Sequence, residues 1–142
     1  MLYGVSDGLL KKLQAVQNAA ARVVTGARKF DHITPVLRDL HWLPVRQRIK
    51  YKLAMTAYKC LHGLAPTYLV DDCHAISAIA GKRHLRSADT GTLFVPRTTT
   101  TLGMRSFAVA GPRIWNSLPA ALRTATLSPL TFARHLKSHL FD

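Results

Sequence analysis

Leu40-His41-Trp42-Leu43-Pro44-Val45-Arg46-Gln47-Arg48-Ile49-Lys50-Tyr51-Lys52, continued to Gly63, is the stretch from which the rest of the chain can be ordered. Proline is tolerated in the first turn of a helix, where its missing amide hydrogen has no intrahelical acceptor, so Pro44 marks a helix start. Behind it Val45, Ile49, Leu53, Ala57, Cys60 and Leu61 return every three or four residues, the period of one helical face. Gly63 offers the left-handed residue that commonly ends a helix. At about 100° per residue, Arg48, Lys52 and Lys59 share one solvated side, while Arg46 and Lys50 flank the apolar stripe on the other. The spacing predicts a core helix that turns positive charge outward. Around it the chain reads as mainly α: a compact bundle of short helices, a less regular basic loop, and room for one short β-hairpin.

Composition bounds the partners. The 142 residues suffice for one domain with a real core, so neither a metal nor a disulfide is needed for size. Lys and Arg number 20 against 7 acids, all of them Asp, which leaves +13. Such an excess draws in polyanions. No apolar run approaches the length of a membrane span, and no secretory signal opens the sequence. Two cysteines do not make a disulfide scaffold. An intracellular place, cytoplasmic or nuclear rather than secreted, is expected, with no membrane among the partners. Acidic protein covering part of the surface is a second use for the same charge.

Outward from the central helix, Leu9, Leu13, Val16, Ala20, Val23 and Ala27 fall three or four apart and predict a first helix, with Asp7 as its cap. Thr34-Pro35 opens a short helix to Leu40. Pro66 to Cys73 reads as another, with Tyr68 and Leu69 inward. Residues 81–91 form a polar loop bearing Lys82, Arg83 and Arg86. The threonines at 98–101 leave a short strand open. Pro112 is expected to start a brief helix through Trp115 that Pro119 stops, and Ser128-Pro129 to start the last one. The expected core is Leu13, Val16, Trp42, Leu43, Ile49, Leu53, Trp115, Leu118, Phe132 and Leu136. A single domain over 1–142 is the simplest division, with a weak subdivision into 1–80 and 92–142 across the loop 81–91.

Side-chain chemistry points away from catalysis. Two-metal phosphoryl transfer needs converging carboxylates, and the adjacent pair Asp71-Asp72 diverges on either a helix or a strand. Cys60, His62, Cys73 and His74 would suit tetrahedral zinc chemically, but their spacing matches neither a finger nor a knuckle. A buried Cys60 and an exposed His62 are the plainer account. No Gly-rich loop leads into a helix to cradle phosphate. No catalytic residue and no cofactor is expected. Trp42 and Trp115 could stack bases, yet both stand in apolar, proline-bounded contexts that favour a core role. What remains is charge: Arg46, Arg48, Lys50, Lys52 and Lys59 on the central helix, with Lys82, Arg83 and Arg86 in the loop, as candidate phosphate contacts.

An ordered set of motifs carries a resemblance over about residues 9 to 141. It includes Leu13-Gln14-Ala15-Val16-Gln17-Asn18-Ala19-Ala20-Ala21-Arg22, Ile33-Thr34-Pro35-Val36-Leu37, Leu40-His41-Trp42-Leu43-Pro44-Val45 and Arg48-Ile49-x-Tyr51-Lys52-Leu53. Ala65-Pro66-x-Tyr68-Leu69, Leu85-Arg86-Ser87 and Val95-Pro96-Arg97 follow, then Gly111-Pro112-Arg113-Ile114-Trp115-Asn116-Ser117-Leu118-Pro119 and Leu136-Lys137-x-x-Leu140-Phe141. Together these resemble the C-terminal region, downstream of the reverse transcriptase core, of non-LTR retrotransposon (LINE) polyproteins of the jockey-like and related groups. The resemblance implies a fragment of an RNA-directed DNA polymerase with an attached endonuclease, lacking the carboxylates of both active sites. The expected function is a non-catalytic accessory region that binds RNA or DNA backbone with low specificity. The alternatives are a structural or protein-interaction domain docking on the polymerase core, or a functionless relic of a mobile element.

Overall fold

A computed structural model describes residues 2–78, 91–124 and 126–141. The stretch read first becomes helix α3, Val45–Leu61, and the other elements are arranged against it. Pro44 lies just outside the helix as its N-terminal flanking residue, and Gly63, at φ 65°, closes the other end. There the Gly63 amide donates to the Cys60 carbonyl at 3.3 Å and the Leu64 amide to that of Lys59 at 2.8 Å. Before α3 come α1, Asp7–Thr25, and α2, Ile33–Asp39; after it comes the single turn α4, Thr67–Val70. A 3₁₀ turn spans Ile76–Ala78. Beyond residue 91 lie α5, Thr101–Met104, α6, Phe107–Asn116, a 3₁₀ turn at Ala120–Leu122, and α7, Pro129–Phe141. The fold is mainly α, a bundle of short and medium helices with α3 held between α6 and α7. Among the described residues no helix is long and apolar enough to cross a membrane.

The core forms where α3, α6 and α7 meet. Leu53, Ala54, Ala57, Tyr58 and Cys60 of α3 pack with Ile114 and Trp115 of α6, Leu118 and Leu122 after it, and Phe132 and Leu136 of α7. The Tyr58 ring stacks on that of Phe132, and Trp115 tilts against Phe132 with centroids 5.7 Å apart. Leu43 is buried as expected, whereas Ile49 is half-buried against the edge of this cluster. Residues from 2–78 and from 91–141 therefore share one core.

Several expectations need correction. Leu13 and Val16 of α1 are 41% and 68% exposed and take no part in the core. The reason is an amide requirement at the start of α3. Pro44 offers no side-chain acceptor, so the first amide of α3, on Val45, is accepted by Oε1 of Gln14 at 2.8 Å, and Gln17 Nε2 donates to the Leu43 carbonyl at 2.9 Å. α1 is thus rotated to turn Gln14, Gln17, Leu10 and Ala21 inward, and its apolar stripe faces outward. Asp7 makes no capping hydrogen bond; its carboxylate pairs with Arg46. Trp42 is only half-buried, and Tyr68 is exposed.

No β-hairpin forms among the described residues. A single antiparallel bridge joins Ala75 to Leu93, and the threonine run instead supplies Thr100, whose hydroxyl caps α5 by accepting the Gly103 amide at 3.0 Å. Leu93 is completed by a side chain rather than a strand: its amide donates to Asn116 Oδ1 and its carbonyl accepts from Asn116 Nδ2, both at 2.8 Å. Nor does Pro112 begin a helix. α6 starts at Phe107 and runs through Pro112, losing one backbone hydrogen bond there. Gly111 makes this packing possible, since a Cβ at that position would lie 2.7 Å from the Phe107 ring. Burial of Val109, Ala110, Pro112, Ile114 and Trp115 offsets the lost bond.

Candidate nucleic-acid interface

Arg46, Arg48, Lys50, Lys52 and Lys59 are all exposed, and no charged side chain is buried among the described residues. The helical turn angle separates them into two groups. Arg48, Lys52 and Lys59 project from the side of α3 opposite its buried residues. Arg46 and Lys50 lie in line with the buried face but nearer the N-terminal end of α3, where they line an open cleft rather than the core. Among the described residues Arg46 alone of the five has an ion-pair partner, Asp7 at 2.7 Å. Both groups are exposed, so the pair contributes at most about 1 kcal/mol and leaves the guanidinium available for exchange.

Arg48 of the first group, and both cations of the second, border concavities. The first, of about 370 Å³, is lined by His41, Trp42, Leu43, Arg48, Tyr51 and Lys137. It exists because α2 ends in a left-handed reversal. His41 has φ 54°, its amide donates to the Arg38 carbonyl at 2.9 Å, and the Trp42 amide donates to that of Leu37 at 2.8 Å. This turn brings Trp42 beside Arg48 and Tyr51 of α3 and leaves its ring partly open to solvent. An aromatic face next to Arg and Lys suits an unstacked base with its phosphate.

The second concavity is a cleft of about 550 Å³ between residues 2–5, α1, α3, α5 and α6, with Leu10, Ile49 and Met104 in its wall. Arg46, Lys50, Arg105 and Arg113 surround it. Arg105 is held in place: its stem packs on Gly4, which at φ 71° has no Cβ to interfere, and Nε donates to the Tyr3 carbonyl at 3.2 Å. Its terminal nitrogens make no hydrogen bond among the described residues, so a guanidinium fork of fixed direction is offered to an anion.

Lys82, Arg83 and Arg86 lie outside the described residues. The four sulfur and imidazole side chains do not converge; among the described residues no three or more of His, Cys, Asp or Glu are placed to hold a metal ion. Cys60 and Cys73 do meet in the core. Burial raises both thiols, that of Cys73 to about 12, with the neighbouring Cys60 and Asp72 adding to the shift. His62 turns away to stack on Tyr58, centroids 4.0 Å apart, with Nδ1 2.8 Å from the Tyr58 carbonyl, and His74 is exposed. Sequence reasoning missed His41, Tyr51, Arg105, Arg113 and Lys137 as site residues. No local pattern in the sequence marks them, since the apolar stripes of α3 and α7 run unbroken past Tyr51 and Lys137. Comparison with protein-family models, curated proteins and solved structures finds no match for this chain.

Proposed function

We propose that this chain is a non-catalytic, nucleic-acid-binding accessory region of a retrotransposon reverse transcriptase, working inside the cell in the cytoplasm or nucleus. RNA or DNA backbone is held by the basic side chains of α3, and an unstacked base rests on Trp42. The observation that carries this reading is the exposure of all five α3 cations, four of them without an ion-pair partner among the described residues, with Arg48 placed beside Trp42 and Tyr51. The motif set from Leu13 to Phe141 supports the retrotransposon origin. Phosphate contacts fix position and carry little base information, so low sequence specificity follows.

The test is affinity of the purified chain for labelled single strands and duplexes of RNA and DNA across a salt series. With roughly six phosphates engaged, log K is expected to fall against log salt with a slope of about 4 to 5. Folded protein that ignores both nucleic acids in dilute salt would overturn the proposal.

A further inference from the structure

Helix α1 carries two stripes, and among the described residues only one packs against the rest of the fold. The inward stripe is Leu10, Gln14, Gln17 and Ala21, anchored by the hydrogen bonds of the two glutamines. The outward one, Leu9, Leu13, Val16, Ala20 and Val23, alternates by four and three residues, the interval at which one helix presents an unbroken seam to another, and Ala27 lies past the left-handed Gly26 that ends it. Leu9 and Val23 are 53% and 85% exposed, and Val24 and Phe30 extend the apolar surface beyond the seam. Scattered exposed apolar side chains are ordinary, but a continuous row over about four turns marks a contact surface. Its period fits a helical occupant, since a strand repeats every two residues and would fall out of step.

Charge selects which helix. Lys12 stands at the free margin of the seam, with Lys11 and Arg22 further round the same side and Arg28 and Lys29 in the following turn. The nearby carboxylates are engaged: Asp7 pairs with Arg46, and Asp31 accepts the Arg28 amide at 2.7 Å. The free margin therefore carries Lys12 and, among the described residues, no carboxylate, on a chain of net charge +13. Two copies of a +13 chain laid seam to seam would add like charge, whereas acidic margins would neutralise it. We propose that α1 docks the amphipathic helix of a partner protein, one whose apolar heptad stripe is bordered by Asp or Glu.

The experiment titrates the full chain against three labelled synthetic peptides. One has Leu at both seam positions of each heptad and Glu at the bordering ones, a second replaces Glu with Lys, and a third scrambles the first. The acidic heptad peptide is expected to bind, the basic one roughly tenfold or more weakly, and the scrambled one not at all. Val16→Asp with Val23→Asp, both already in solvent, should leave melting unchanged and lower that affinity by at least about tenfold. Lys12→Glu should shift preference toward the basic peptide. The same variants should bind RNA as the parent does, which keeps this result separate from the nucleic-acid reading. Equal binding of all three peptides, or indifference to the Val16 and Val23 changes, would overturn the proposal. So would a dimer by light scattering that those two changes abolish, because the seam would then belong to a second copy.

Discussion

The rings of Tyr58 and Phe132 lie parallel, centroids 4.4 Å apart and planes 15° apart, and this stack joins α3 to α7 at the centre of the core. Phe132 is completely buried, so Phe132→Ala is expected to lower unfolding stability by about 3–5 kcal/mol. The Tyr58 hydroxyl donates to the Leu127 carbonyl. Tyr58→Phe keeps the stack and loses that bond, for a cost of about 1 kcal/mol. Urea titrations of the two variants should separate these contributions, and a Phe132→Ala loss below that of Tyr58→Phe would contradict the assigned core.

Arg48→Ala with Lys52→Ala removes two exposed cations whose side chains make no hydrogen bond or ion pair among the described residues. Stability is expected to change by less than about 0.5 kcal/mol. Nucleic-acid affinity should fall, and the salt slope should shrink by roughly 1.4–1.8, two contacts' worth. Unchanged affinity and slope would remove α3 from the interface.

Trp42 distinguishes a stacking platform from a packing residue. Trp42→Ala is expected to weaken binding to a single strand by about 1–3 kcal/mol while affecting a duplex less, because paired bases keep their faces covered. Equal losses for both would assign Trp42 to positioning Arg48 rather than to a base. Fluorescence quenching of Trp42 in a Trp115→Phe background would report the contact directly.

The thiols give a pH prediction with a definite sign. A buried thiol binds its proton more tightly when folded, so its contribution is whole below the ordinary thiol range and is lost as pH rises. The urea midpoint is expected to decline between about pH 9 and 12, and less steeply in Cys73→Ala than in the parent. At neutral pH, Cys60 and Cys73 should react with a thiol reagent only on unfolding.

Gly111→Ala would place a methyl group 2.7 Å from the Phe107 ring. The expected cost is about 1–3 kcal/mol, read as a lowered melting temperature. Phe107→Leu with Gly111→Ala should recover part of it, since the smaller side chain relieves the contact.

The central helix was legible because its two ends and its buried face are written locally, in Pro44, Gly63 and the return of Leu53, Ala57 and Cys60. The last helix was legible from Ser128, whose hydroxyl does accept the Thr131 amide at 3.2 Å. α1 misled because periodicity reports that a face is apolar, and says nothing of whether this chain or another covers it. The orientation was decided by Gln14 meeting a proline-started helix 31 positions away, a contact with no local signature. Pro112 misled for a related reason: the loss of one hydrogen bond is local, and the burial that outweighs it is not. In the candidate interface, the α3 cations followed from helical spacing. Arg105, Arg113 and Lys137 reach it only through tertiary packing, and Trp42 is opened by a left-handed His41 that no residue-type preference demands.

Asn116 grips both backbone groups of Leu93, the Ile76 amide reaches the Thr92 carbonyl at 3.0 Å, and the Phe94 amide reaches that of His74 at 2.8 Å. The segments 74–76 and 92–94 are thereby clasped at a fixed separation. Once two anchor points are fastened, the entropy of joining them grows only with the logarithm of the tether, about 0.6 kcal/mol for each doubling. Lengthening the polypeptide between those two anchors therefore costs little in closure entropy.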